Sequence, residues 1–245
     1  MFVSKSRLKT AADIALTLLV MFGTLSLTWI GLTGTGSIPA SAGVTETEAP
    51  ERPDGFTVVI DAGHGGFDGG AVGTKTGAAE AGLNLEVAEL LEEKLSGIGM
   101  RVIMTRRDEN ALGQTKNEDM RARREIMLDP EADIVVSIHM NKFRDSTISG
   151  PMVFYMRGSE EGKALADFVM GGLCERLGLS LRHTNPEDLF VLREPKAPSV
   201  LVECGFLSNA QDEAKLMTKE YRETLAQGIA DGIAEYLAYI RNGDI

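Results

Sequence analysis

From Phe56 onward the chain alternates between short apolar runs and stretches whose apolar residues recur every three or four positions. Phe56–Asp61 (FTVVID) is apolar, β-branched and followed by glycines, the pattern of a buried strand. Leu83, Val87, Leu90, Leu91 and Leu95 share one helical face, and Gly97 and Gly99 stop that helix. Arg101–Thr105 predicts a second strand, Met120–Leu128 a helix ended by Asp129-Pro130, Asp133–His139 a third strand and Pro151–Met156 a fourth. Leu165, Phe168, Val169, Leu173 and Leu177 mark a further helix, Val200–Val202 a short core strand, and Tyr221 to Ile240 an amphipathic C-terminal helix. Strands separated by helices predict βαβ units with right-handed crossovers. The expected fold is therefore a single α/β domain over residues 56–240, a mostly parallel twisted sheet with helices on both faces.

The first 55 residues follow another pattern. Lys5, Arg7 and Lys9 precede an uncharged apolar run from Ile14 to Leu32, and Ala40-Ser41-Ala42 offers a small-x-small cleavage pattern. Residues 1–42 read either as a cleaved signal peptide or as an uncleaved anchor, because the run is long enough to cross a bilayer. Both readings place the remainder outside the cytoplasmic membrane, secreted or anchored to its outer side. Residues 43–55, with Pro50 and Pro53, read as a linker.

Charge narrows the partners. The net charge is −11, and the basic and acidic residues of 1–50 cancel, so the whole excess lies on the body. That argues against binding nucleic acid through its phosphates. Two cysteines, Cys174 and Cys204, cannot make a disulfide framework.

In an open parallel sheet, ligands bind beyond the carboxyl ends of the strands. His64 follows the first strand, His139 ends the third and Glu203 ends the last. Two histidines and a carboxylate match the ligand set of catalytic zinc, which keeps one position open for water. The carboxylate ligand is Glu80 or Glu203, and the other is then free as a base. Asp61 suits either a turn or the orientation of a ligand histidine, Asn141 either substrate binding or a turn, and Arg106 and Arg123 either substrate carboxylates or ion pairs. His183 lies in a polar stretch with no strand before it, and Cys204 should face away from Glu203. The glycines after the first strand do not make a dinucleotide loop, since the sixth position counted from Gly63 is Asp68.

Val59–Gly73 (VIDAGHGGFDGGAVG), Glu80–Leu85 (EAGLNL), Met104–Arg106 (MTR), Ala132–Asn141 (ADIVVSIHMN) and Pro198–Asn209 (PSVLVECGFLSN) resemble, in order, the signature blocks of the zinc-dependent N-acetylmuramoyl-L-alanine amidases of the amidase-3 family. The resemblance implies that His64, Glu80 and His139 bind Zn2+ and that Glu203 is catalytic. Many members carry Lys-Asp after the ligand Glu, where this chain has Ala81-Gly82. It also implies peptidoglycan as substrate, cleaved between N-acetylmuramic acid and the L-alanine of the stem peptide. A membrane-targeting segment before a lone catalytic domain is similar to the sporulation and germination subgroup, which acts on spore cortex toward muramic lactam. An intact site can also stay silent without a helper protein, whose identity the sequence leaves open. Two rival readings stand beside it. A non-catalytic peptidoglycan-binding module would lack one of the four site residues, and all four are present. A different zinc peptidase or deacetylase would share the His/Glu/His set without the blocks.

Overall fold

Thr57–Ala62 (β1), Arg101–Met104 (β2), Ile134–Asn141 (β3), Met152–Met156 (β4), Asn185–Glu187 (β5) and Ser199–Phe206 (β6) form one sheet in the computed structural model, which describes residues 55–243. The strand order is β2–β1–β3–β6–β4–β5. Around it lie Glu80–Gly97 (α1), Lys116–Met127 (α2), Glu160–Leu177 (α3), Phe190–Arg193 (α4), Ala210–Leu216 (α5) and Lys219–Arg241 (α6). The expected export segment, 1–42, and all but Gly55 of the linker lie outside the described residues. Among the described residues, no helix is long and apolar enough to cross a membrane.

β2, β1, β3 and β6 run parallel, as the alternation of strands and helices predicts. β4 is antiparallel to β6, and β5 follows β4 in parallel. The reversal has a local cause. Residues 142–151 link β3 to β4 without a helix, and a parallel return needs a crossover of a dozen residues or more. Several boundaries depart from those read from apolar runs. β3 continues to Asn141 and β6 to Phe206, so His139 and Glu203 lie within strands, close to their carboxyl ends. Those strands carry on past the apolar residues because the ladder is made by backbone groups, not side chains. α2 begins at Lys116, earlier than its first apolar residue. Thr115 and Glu118 form a reciprocal capping box there. β5, α4 and α5 are too short to show a period.

The two sheet faces are unequal. Val58, Ile60, Val136, Ile138, Val200 and Val202 pack beneath α1, α3 and α6 in a large apolar cluster. Burying each such side chain contributes roughly 1.5–3 kcal/mol. The opposite face holds a small cluster, Val59, Val135 and Leu201 against Met127, Val191 and Leu192. Side chains alternate along a strand, so the next residues on this thinner face are Asp61 after Val59, Ser137 and His139 after Val135, and Glu203 after Leu201. The polar groups thus gather where the apolar layer ends. Cys204 faces the other way into the large cluster, and Cys174 and Cys204 are both free thiols.

Glu213, on α5 and fully buried, anchors the loop leading to Glu80. Its carboxylate accepts the backbone N–H groups of Lys75 (2.9 Å) and Thr76 (2.7 Å) and the hydroxyls of Thr74 (3.1 Å) and Thr76 (2.8 Å). Burial raises the pKa, but hydrogen bonds from Thr76, Lys75 and Thr74 overcome it and bring the carboxyl down from 4.5 to about 2. A depressed carboxyl pKa stabilises the fold above the unfolded value, and that stability is lost as the pH falls toward the folded one. Glu213→Gln should therefore cost about 1–3 kcal/mol at neutral pH in denaturant unfolding. The difference from wild type should shrink between pH 4.5 and about 2.

Candidate metal centre

The centre is assembled from three segments that parallel pairing brings side by side. β1 pairs with β3 from Val58↔Ile134 to Ala62↔Ile138, and Gly63 extends the ladder by donating to the Ile138 carbonyl at 3.1 Å. This sets the turn carrying His64 beside His139. Gly63 is required by contact, because a Cβ there would stand 2.2 Å from Cε1 of His139. The imidazoles lie edge to face with centroids 5.0 Å apart.

Glu80, the first residue of α1, enters between them. Its Oε1 is 3.2 Å from His64 Nε2 and 2.9 Å from His139 Nδ1. Its Oε2 accepts the Ala71 N–H at 2.7 Å, while the Glu80 N–H donates to the Ala71 carbonyl at 2.8 Å. Asn84, one turn along α1, donates to Oε1 at 3.3 Å and to the Gly63 carbonyl at 3.1 Å. Burial opposes ionisation of Glu80, yet the facing imidazoles of His139 and His64 hold it well below the usual carboxylate range. Replacement of Lys-Asp by Ala81-Gly82 leaves the helix start intact, with Glu80 as its first residue.

One donor atom from each of His64, Glu80 and His139 lies within 4.8 Å of the others. Tetrahedral zinc with bonds of 2.0–2.1 Å separates its ligand atoms by about 3.3 Å. The two His–Glu separations therefore suit a small divalent ion with nitrogen and oxygen ligands. His64 Nδ1, on the far side of its ring, is 3.0 Å from Asp68 Oδ1, and Lys116 pairs with the other oxygen of Asp68. A carboxylate at that distance favours the ring orientation that turns Nε2 inward. Asp68 and Asn84 were not singled out from the sequence, although Asp68 stands four residues after His64 inside the glycine-rich block.

Glu203 lies outside the three-residue group. It faces His139 across the β3–β6 pairing, and its Oε2 is buried without a hydrogen-bond partner among the described residues. Burial, with the Glu80 charge adding to it, outweighs the nearby histidines and pushes its pKa up to about 7. A carboxyl group poised there exchanges protons at neutral pH. Beside His64 and His139 opens a cavity of about 310 Å³, walled by Met120, Leu189, Phe190, Val191 and Leu201 with Lys116 among the lining residues.

Other candidates fall elsewhere. Asp61 touches no histidine; it accepts from Thr105 (2.9 Å), Ser137 (2.6 Å) and Arg123 (2.6 Å). Arg106 and Arg123 are 3% and 2% exposed, so neither is available to a substrate carboxylate. Asn141 is the last residue of β3, and its side chain accepts the Lys142 N–H. His183 is exposed and apart from the group.

A family model described as N-acetylmuramoyl-L-alanine amidase matches residues 58–235. The uncharacterized protein YqiI of Bacillus subtilis is 35% identical over 191 residues, 77% of this chain and 88% of that protein. The germination-specific N-acetylmuramoyl-L-alanine amidase of the same organism is 32% identical over 199 residues, 78% of this chain and 82% of its own length. The CwlD amidase of Clostridioides difficile, solved in complex with the GerS lipoprotein, superposes with a TM-score of 0.72 at 34% identity over 75% of this chain and 98% of that one.

Gly70 offers a test that removes no ligand. It has φ +68°, and a Cβ would stand 2.5 Å from Glu80 Oε2 and 2.8 Å from His64 Cδ2. If the group holds a divalent ion, Gly70→Ala should weaken its binding by about tenfold or more, as disturbed ligand support does, measured with Zn2+ by competition with a chromophoric chelator.

Proposed function

Because this chain belongs to the amidase-3 family of N-acetylmuramoyl-L-alanine amidases, we propose that its peptidoglycan-hydrolysing centre is a zinc site of His64, Glu80 and His139, with Glu203 as the catalytic residue. The bond cleaved joins the lactyl carbonyl of N-acetylmuramic acid to the amino group of the first stem-peptide alanine. When bound, zinc supplies Lewis-acid chemistry, acidifying water and polarising a carbonyl.

The protein's own groups have separate tasks. His64 and His139 would offer one ring nitrogen each to the ion, with Asp68 beside the other nitrogen of the first. Glu80 brings the negative charge that a dication requires. Glu203, as carboxylate, accepts a proton from the attacking water at its unpaired oxygen. It then delivers that proton to the alanine nitrogen as the C–N bond breaks, leaving a lactyl carboxylate and a stem peptide with a free amine. The observation that carries this assignment is the buried, unpartnered Oε2 of Glu203 on the same sheet face as the His/Glu/His group. A ligand role would leave no free base, and a purely structural role would leave no reason for an unsatisfied buried carboxylate oxygen.

Similarity to a probable cell wall amidase of Staphylococcus aureus supports a reaction outside the cytoplasmic membrane, with residues 1–42 as signal peptide or anchor. Similarity to the germination-specific amidase favours spore cortex as the peptidoglycan, with stem-peptide removal as the step toward muramic lactam. The neighbouring CwlD–GerS complex favours a helper protein as a requirement for full activity.

Two measurements test the proposal. Full-length protein in detergent, incubated with purified vegetative and cortex peptidoglycan, should release intact peptides beginning with alanine. Mass spectrometry should find them with zinc and not with chelator. Glu203→Gln should keep stoichiometric zinc while turnover falls about 10²–10⁴-fold, the contribution of a positioned acid–base group; turnover at the wild-type rate would remove Glu203 from the mechanism.

A further inference from the structure

His64 is the one non-glycine residue with positive φ among the described residues, at +62°. The left-handed region places Cβ against the following carbonyl and costs energy for any L side chain. A glycine would remove that cost, but the position carries a donor nitrogen of the proposed centre. Something else has to hold the turn.

Two buried guanidinium groups take the three consecutive carbonyls that define it. The Ala62 oxygen accepts from Arg106 Nε at 2.9 Å and from Arg123 Nη1 at 2.8 Å. The Gly63 oxygen accepts from Arg106 Nη2 at 3.0 Å, and the His64 oxygen from Arg123 Nη2. Arg123 also pairs with Asp61 and Asp119, so an ordinary ion-pair role would account for its presence. No such role accounts for Arg106. Among the described residues it forms no salt bridge, and every hydrogen bond it donates goes to a backbone carbonyl. One of them, at 2.7 Å, is the Ala81 carbonyl, in the first turn of α1 directly after Glu80. The same planar fork therefore ties the turn that carries His64 to the helix start that carries Glu80. A buried cation in no direct salt bridge is costly, and the carbonyl dipoles offset it here together with the nearby charges of Asp61, Asp119 and Asp108.

We propose that Arg106 and Arg123 form a clamp on the Ala62–Gly63–His64 backbone, and that Arg106 is a positioning residue that fixes the separation of His64 and Glu80 and so sets the affinity of the centre for zinc. The proposal rests on the reading of His64 and Glu80 as metal ligands. It assigns the two arginines to the metal site without giving them contact with substrate.

The test uses full-length Arg106→Gln and Arg106→Lys, with Met127→Ala as a control for lost stability, since Met127 is buried in the small apolar cluster. Zinc affinity is read by chelator competition, and folding by circular dichroism and thermal unfolding. Arg106→Gln should weaken zinc binding by 10–100-fold. Arg106→Lys should fall between it and wild type, because an ammonium cannot span the separated carbonyls. Met127→Ala should lose Tm and keep wild-type zinc affinity. Zinc binding within twofold of wild type in a folded Arg106 variant would overturn the clamp, as would an equal loss in Met127→Ala. If Arg106→Gln does not fold, Arg106→Lys against Met127→Ala decides by the same criterion. A wild-type protein that binds no zinc would overturn the metal reading, and the clamp with it, which separates the two failures.

Discussion

One oxygen atom, Oε1 of Glu80, stands within 3.2 Å of a ring nitrogen from each of two histidines that are far apart in sequence, and most of the fold can be understood as the means of bringing that about. Without an ion between them, two half-buried imidazoles and a buried carboxylate crowd together, and the imidazoles hold the carboxyl well below its normal range. A divalent cation bound there would relieve this by satisfying all three donors at once. The same field acts on Glu203. Its Oε2 lacks a hydrogen-bond partner among the described residues, which is wasteful for stability and useful for a group that must pick up and release a proton.

Stability and chemistry are divided between the faces of the sheet. The face under α1, α3 and α6 carries the large apolar cluster, so the other can give up apolar layers to Asp61, Ser137, His139 and Glu203. These polar groups are not left to water. Asp61 joins Thr105, Ser137 and Arg123 in a buried network, and that network abuts the turn at His64. Glu213 plays a comparable part for the loop that ends at Glu80. The proposed ligands are thus supported from two directions by buried groups outside the His/Glu/His cluster.

How far this was legible in the sequence follows from what a linear pattern encodes. The alternation of apolar strands and helices reveals the parallel core, because a strand buried on both faces must be apolar throughout, as Val58–Ile60 and Ile134–Val136 are. It also places His64, His139 and Glu203 at one edge, since parallel strands share their carboxyl ends. It does not reveal the antiparallel β4, whose direction is set by a link without a helix, nor β5, α4 and α5, which are too short to show a repeating pattern. The arginines were the hardest to read. A charged residue in a sequence suggests solvent or a ligand, and nothing in the letters around Arg106 says that its partners are backbone carbonyls from two other segments. The positive φ of His64 is equally silent, because it is paid for by those distant hydrogen bonds and not by a glycine.

The account stands or falls on which atoms hold the metal and which carboxylate stays free. The most direct measurement is a crystal structure of the zinc-loaded protein with anomalous diffraction collected at the zinc edge. The account predicts one strong anomalous peak bonded to His64 Nε2, Glu80 and His139 Nδ1, with the Glu203 carboxylate nearby but not coordinated. A peak elsewhere, or one with Glu203 as ligand in place of Glu80, would contradict it.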